Sequence, residues 1–315
     1  MKKYLFAVSF ASFLLIFTLI AVLSTFVIER RFSVVTADVN ESIVEIIDDL
    51  SGNGVTETES VTDSESEPET VYGYDAENET YTDENYTIKL SRYTENDTDI
   101  YVADITVSSV KYLKTALAEN TYGRNITSTT SETAEEHGAV LAINGDYYGS
   151  RESGYVIRNG VVYRNTASGN DVLCIMADGS FMIVSSSEYT TDELVELGVW
   201  QAFCFGPGLV ENGLVTVDSD DEVGRAKASN PRTAIGIIDE NHYVFVVSDG
   251  RTEESEGLSL LELAEFMKSL GVETAYNLDG GGSSTMYFMG EIVNNPTTSG
   301  RKISEREVSD IVYIG

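Results

Sequence analysis

A carboxylate, three residues without side chains and two hydroxyls follow one another in Asn277-Leu278-Asp279-Gly280-Gly281-Gly282-Ser283-Ser284-Thr285. Ordering a glycine run is entropically costly, so a fold that keeps one uses the close approach it permits. Here it joins two apolar segments, which is unlike a flexible linker. A buried strand over Val272 to Leu278 that empties into Asp279 would present backbone N–H groups and Ser283 and Ser284 to an oxygen-rich ligand. Three further groups suit such a ligand. Arg232, in Asn230-Pro231-Arg232-Thr233, and Arg251, after Asp249-Gly250, could grip a phosphate or carboxylate in bidentate fashion. Asp146 lies between Asn144-Gly145 and Tyr147-Tyr148, an acid beside rings that could stack on a sugar.

Other chemistries find less support. Ser283 and Ser284 do not sit in Gly-x-Ser-x-Gly, and neither His137 nor His242 is placed for a triad. The glycine run lacks the Gly-Lys-Ser/Thr of a phosphate-binding P-loop. No Cys/His cluster suggests zinc, so no metal site is assigned. Carboxylates gathered at one edge could accept a hard cation such as Ca²⁺. Cys174 and Cys204 lie in apolar runs and read either as one disulfide or as two buried thiols.

The elements that must position these groups read as an α+β fold, a mixed sheet core with flanking helices. Thr87 to Tyr93 and Ile100 to Val107 form a hairpin around Glu95-Asn96-Asp97-Thr98. Arg158-Asn159-Gly160 and Ala177-Asp178-Gly179-Ser180 mark two more. Val110 to Ala118 reads as a short helix and Ala139 to Ile143 as a strand. Thr190 with Glu193, and Ser259 with Glu262, are capping boxes for helices stopped by Gly198 and Gly271. Thr233 to Ile238 and Tyr243 to Ser248 pair about Asp239-Glu240-Asn241-His242. Antiparallel pairing places Arg232 near Asp249, Gly250 and Arg251. If the strand from Val272 runs parallel to that at Tyr243, Asp279 reaches the same edge, and the strand at Ala139 brings Asn144 and Asp146.

The chain has 315 residues and a net charge of −32. Tyr4 to Ile28 is apolar and uncharged, flanked by Lys2, Lys3, Glu29, Arg30 and Arg31, and is long enough to span a bilayer. We read residues 1–31 as an uncleaved signal anchor in preference to a cleaved signal. Phe32 to Ile88 holds no Lys or Arg and 16 Asp or Glu. Residues 32–85 read as a disordered acidic stalk with a possible juxtamembrane helix through Val39, Ile43, Ile46, Ile47 and Leu50. Residues 86–315 are the folded domain, placed outside the cytoplasm. Asn-x-Ser/Thr sequons occur at Asn40, Asn78, Asn85, Asn96 and Asn125. The excess of negative charge argues against nucleic-acid binding.

Four segments in order carry a resemblance: Ala142-Ile143-Asn144-Gly145-Asp146-Tyr147, Asn230-Pro231-Arg232-Thr233-Ala234-Ile235-Gly236, Ser248-Asp249-Gly250-Arg251 and Asn277 to Ser284. Together they resemble the phosphodiester glycosidase family, which includes the enzyme that uncovers mannose 6-phosphate and many bacterial envelope and exopolysaccharide-associated proteins. The closing Asn295-Pro296 … Arg306-Glu307-Val308-Ser309 is also similar, with Glu307 where a proline is expected. The resemblance implies cleavage of a sugar 1-phosphodiester at the anomeric carbon–oxygen bond. On that reading Arg232 and Arg251 neutralise the phosphate, and Asp146 or Asp279 activates water or attacks the sugar. Asn144 and Asp249 orient hydroxyls, and Gly280, Gly281 and Gly282 admit the substrate. Two rival readings stay open: a stalked module that binds anionic polysaccharide without cutting it, and a phosphodiesterase that cuts P–O.

Overall fold

A computed structural model describes residues 72–219 and 229–315. The proposed anchor and most of the stalk lie outside the described residues. Among the described residues no helix is long and apolar enough to cross a membrane.

The described residues form three sheets, and every pairing between their strands is antiparallel, so the expected mixed sheet core is corrected to an antiparallel one. The nine-stranded sheet has at its centre Thr98–Val107, His242–Ser248, Arg232–Asp239 and Thr274–Asn277, in that spatial order. A five-stranded sheet is built around Asp171–Met176 and Val199–Phe203, and another around Leu141–Asn144 and Asp310–Ile314. Each sheet buries both faces, and strand alternation explains how. In His242–Ser248, Tyr243, Phe245 and Val247 point into a core shared by all three sheets, joined there by Leu173, Phe203, Ile143 and Val312. Val244 and Val246 point the other way.

One helix covers each outer face. Helix α1, Thr130–Glu136, brings Ala134 against Ala142 and Ile311. Helix α2, Thr191–Glu196, brings Leu194 against Val172 and Val199. Helix α3, Leu260–Ser269, lays Leu263, Ala264, Phe266 and Met267 on Val244, Val246 and Ala234. All three start with complete capping boxes. Those of α2 and α3 follow the sequence; that of α1, Thr129 with Glu132, escaped it.

The three hairpins form where the turn residues place them. Asn96 and Asp97 take φ of 51° and 52°, and Asn159 and Gly160 take 50° and 77°, as tight two-residue turns require. Two further expectations are corrected. Val110 to Ala118 is not a helix: a single turn at Val110–Tyr112 leads into the strand Leu113–Leu117. That strand pairs with Asp310–Ile314 along its whole length, and tertiary pairing overrides a local helical spacing. The folded domain also begins before residue 86. Gly73–Asp75 and Thr80–Thr82 extend the nine-stranded sheet through Tyr86–Glu95, so part of the acidic segment is strand. Cys174 and Cys204 are both buried and unpaired, and burial pushes the Cys174 thiol up to about 12.

The central pairing brings chain ends together. Arg232 lies opposite Ser248, and Thr274–Asn277 inserts on the far side of Arg232–Asp239 with Ala234 opposite Asn277. The last strand thus runs in the same direction as His242–Ser248, though not beside it. Arg232, Asp249 and Asp279 emerge at one end of the sheet.

Candidate active site

The glycine loop is anchored from below by Asn144. Its Nδ2 donates to the Asp279 carbonyl at 2.6 Å, and its Oδ1 accepts from Thr233 Oγ1 at 2.8 Å and from the Thr285 amide at 3.2 Å. One buried amide side chain thereby ties three segments, a structural duty in place of the expected sugar contact. The glycines allow close packing. A Cβ at Gly280 would stand 2.9 Å from the Pro231 carbonyl, and one at Gly282 would stand 2.4 Å from Thr298 Oγ1. Gly281 has φ of 64°, a further bar to a side chain. The amides of Gly281, Ser283 and Ser284 donate to carbonyls of Pro231, Gly280 and Gly281. They close the loop on the fold and do not point to a ligand.

Above this loop lies a cleft of about 30 Å³, lined by Asp146, Tyr147, Asp279, Ser283, Arg306 and Glu307 among others. Asp279 Oδ2 accepts from Ser283 Oγ at 2.6 Å and from Arg306 Nη2 at 2.9 Å. Arg306 also donates through Nε to Ser283 Oγ at 2.9 Å. Its side chain is 38 % exposed, so the guanidinium is reachable from solvent. Burial raises the pKa of Asp279 above the usual carboxylate range, against the opposing pull of Ser283 and Arg306. A partly desolvated acid next to a cation in a cleft can hold or release a proton during a reaction.

Asp146 also lines the cleft, but it is fully engaged. Oδ1 accepts from the Tyr148 amide at 2.9 Å and Oδ2 from the Cys204 amide at 3.1 Å. Behind it lies Arg158, wholly buried, with Nη2 3.1 Å from Asp146 Oδ2 and Nε donating to Asp310 Oδ2 at 2.8 Å. The guanidinium packs over the Phe203 ring at 4.2 Å and donates to the carbonyls of Ile157 and Ala202. A carboxylate held on both oxygens suits a fixed negative charge better than a mobile base. Of the paired rings, Tyr147 is exposed at the cleft rim, whereas Tyr148 is buried, stacks on Tyr122 and donates to the Ser309 carbonyl.

The other sequence candidates stand away from the cleft wall. Arg232 is buried and donates through Nε to the Leu258 carbonyl at 2.8 Å, bracing the approach to α3. Asp249 accepts from Tyr101, Asn294 and both nitrogens of Asn295, which fastens the segment leading to Arg306. Ser284 is buried, and its hydroxyl finds no partner among the described residues. Arg251 lies closer. Its guanidinium would be 2.8 Å from a Cβ at Gly281, it donates to Asn230 and to the Thr298 carbonyl, and its pKa is lowered by burial and then by nearby Arg306. Arg251 and Arg306 are thus neighbouring cations at the glycine loop, and Arg232 also packs against it, its Cδ 3.9 Å from where a Cβ on Gly280 would stand. Arg306 was visible only as part of a closing motif, and Arg158 only as a turn residue. Asp310, an acid opening an apolar strand, was the one further signal available. Among the described residues no group of three or more His, Cys, Asp or Glu side chains is arranged to hold a metal ion.

Comparison with known proteins bears on the whole C-terminal part. The family model described as phosphodiester glycosidase matches residues 137–315. The N-acetylglucosamine-1-phosphodiester alpha-N-acetylglucosaminidase of Mus musculus is 29% identical over 185 residues, 54% of this chain and 36% of that protein. The SPbeta prophage-derived protein YomE of Bacillus subtilis is 25% identical over 244 residues, 69% of this chain and 37% of that protein. The matches thus span little more than a third of these relatives. Among solved structures, the catalytic domain of the zebrafish N-acetylglucosamine-1-phosphodiester alpha-N-acetylglucosaminidase superposes with a TM-score of 0.58 at 21% identity. That superposition covers 73% of this chain and 82% of the other. A hypothetical protein from Synechocystis gives 0.57 at 14% identity, over 75% and 63%. Both likenesses establish a common fold.

Proposed function

Because this chain belongs to the phosphodiester glycosidase family, we propose that it is a hydrolase that cleaves a sugar 1-phosphodiester at the anomeric C–O bond. The observation that carries the reading is the Asp279–Ser283–Arg306 cluster facing Asp146 across one cleft. Arg306, with Arg251 behind the glycine loop, attracts the phosphate and offsets the charge that gathers on it as the bond breaks. The leaving phosphomonoester needs little protonation, so the demand falls on the sugar side. Asp146, locked by two amides and Arg158, holds a negative charge against the developing oxocarbenium-like centre. Asp279 activates water or attacks that centre. Tyr147 offers a ring face to the sugar.

The cleft is small beside the roughly 300–1,000 Å³ of typical ligand sites, so binding requires rim side chains such as Tyr147 and Glu307 to move. The names of the mammalian relatives make an N-acetylglucosamine 1-phosphodiester the first substrate to try. The finer reading, a membrane-anchored, extracytoplasmic enzyme acting on envelope or exopolysaccharide glycans, rests on residues 1–71 as a sequence. Incubating the protein with UDP-N-acetylglucosamine in ¹⁸O-labelled water is the direct test. Free sugar together with UDP that carries no label, abolished in Asp279→Asn, is the expected result. Label on phosphate would move the cut to P–O, and binding without release would make the protein a glycan-binding module.

A further inference from the structure

Two acids and one base are enclosed together beneath the cleft. Asp310 and Arg158 are completely buried, and Asp146 is nearly so. Asp310 reaches Arg158 through Oδ2 alone, while its Oδ1 is buried with no hydrogen-bond partner among the described residues. Both oxygens lie against Gly145, where a Cβ would stand 2.4 Å from Oδ1. The same turn carries Asp146. The Gly145 amide also donates to the Asp310 carbonyl at 2.9 Å, so the turn and the start of the strand Asp310–Ile314 move as one piece.

One guanidinium cannot fully neutralise two buried carboxylates. The competition is unequal. Asp146 has two backbone amides besides Arg158, whereas Asp310 has Arg158 only. An excess proton therefore settles on Asp310. The groups that face it are Arg158, Asp146, Asp279 and the Tyr148 hydroxyl. Burial, partly offset by Arg158, pushes the Asp310 carboxyl up to about 7.

We propose that Asp310 is a positioning residue that acts through Arg158 to set the charge which Asp146 presents to the substrate. With Asp310 neutral, Arg158 serves Asp146 alone and the cleft floor carries little net charge. With Asp310 ionised, a second negative charge stands behind Asp146 and opposes the incoming phosphate. No group is transferred; one proton leaves Asp310 for solvent. The proposal rests on the hydrolytic reading of the cleft only for its kinetic consequence.

The test has two arms. The first follows sugar release from UDP-N-acetylglucosamine between pH 6 and 8 for the full chain and for Asp310→Asn. The expected wild-type KM rises about tenfold across neutrality while kcat does not fall, and the KM of Asp310→Asn stays flat. The same pH-dependent KM in both proteins overturns the proposal. The second arm needs no substrate. The ¹³C signal of the Asp310 carboxyl, assigned by its loss in Asp310→Asn, should titrate between pH 6 and 8. A signal already ionised at pH 5 overturns the proposal. A wild type without sugar release sinks the hydrolytic reading instead, and the carboxyl titration still decides the buried site.

Discussion

At the scale of single residues, two arginines have opposite duties. Arg232 is enclosed and satisfies the Leu258 carbonyl, while Arg306 is half-exposed and shares Asp279 with Ser283. Arg232→Ala removes one of the two donors to that carbonyl, the Asn230 amide being the other, and strips out a buried charged hydrogen bond, so thermal or urea unfolding should show a loss of about 1–3 kcal/mol. Arg306→Ala should unfold much like the wild type, yet lose about 100-fold or more in turnover of a sugar phosphodiester. The sign of its pH effect follows from the site. Arg306 holds down the pKa of Asp279, so its removal lifts that pKa further and shifts the acid limb of the rate profile to higher pH. An acid limb that moves to lower pH in Arg306→Ala would remove Asp279 from the reaction. Asn144 belongs with Arg232, since its contacts are to backbone and to Thr233 and not to the cleft.

At the scale of elements, the site depends on close approach between a strand end and a turn. Leu141–Asn144 hands over to Gly145 and Asp146 just where Asp310–Ile314 begins, with Ile311 opposite Asn144. Gly145 is needed for space, because Asp310 fills the volume a side chain would take. Gly145→Ala must therefore push the turn outward or tilt the Asp310 carboxyl off Arg158. The expected outcome is destabilisation of about 1–3 kcal/mol together with a fall in kcat, read by unfolding and by sugar release. A stable and fully active Gly145→Ala would mean that Asp146 does not need its present position. The helices contribute differently. Each caps one sheet face, so α1, α2 and α3 stabilise the platform on which the loops meet, and α1 also holds Glu305, beside Arg306, through Ser131.

At the scale of the whole molecule, charge and site oppose one another. The chain carries a net charge of −32, and the substrate class proposed above is anionic. The arginines at the glycine loop act over a few ångströms, whereas the acidic surroundings act over the Debye length, about 8 Å at physiological salt and about 30 Å at 0.01 M. Raising ionic strength from 0.01 to 0.15 M should therefore increase kcat/KM for UDP-N-acetylglucosamine severalfold, through faster encounter. A decrease would show that the local cations dominate the approach.

The amino-acid sequence by itself determined the hairpins, two of the three capped helices among the described residues, the placing of Arg232 near Asp249 and the family. The local features depend on neighbours a few residues apart: Asn159-Gly160 tolerates positive φ, Ser259 and Glu262 satisfy the same helix end, and two apolar strands joined by a short polar turn pair antiparallel. Only the tertiary structure decided which charged groups face the cleft and which are enclosed. Arg232, Asp249 and Asn144 come to the right end of the sheet, as the strand order requires, but side-chain direction there depends on which carbonyl or amide lies within hydrogen-bonding distance. Those partners, Leu258, Asn295 and Thr285, come from segments distant along the chain. Arg158 and Asp310 were illegible for the same reason. A buried ion pair spanning 152 residues of chain leaves no local pattern, because it exists only when the sheets have closed upon it.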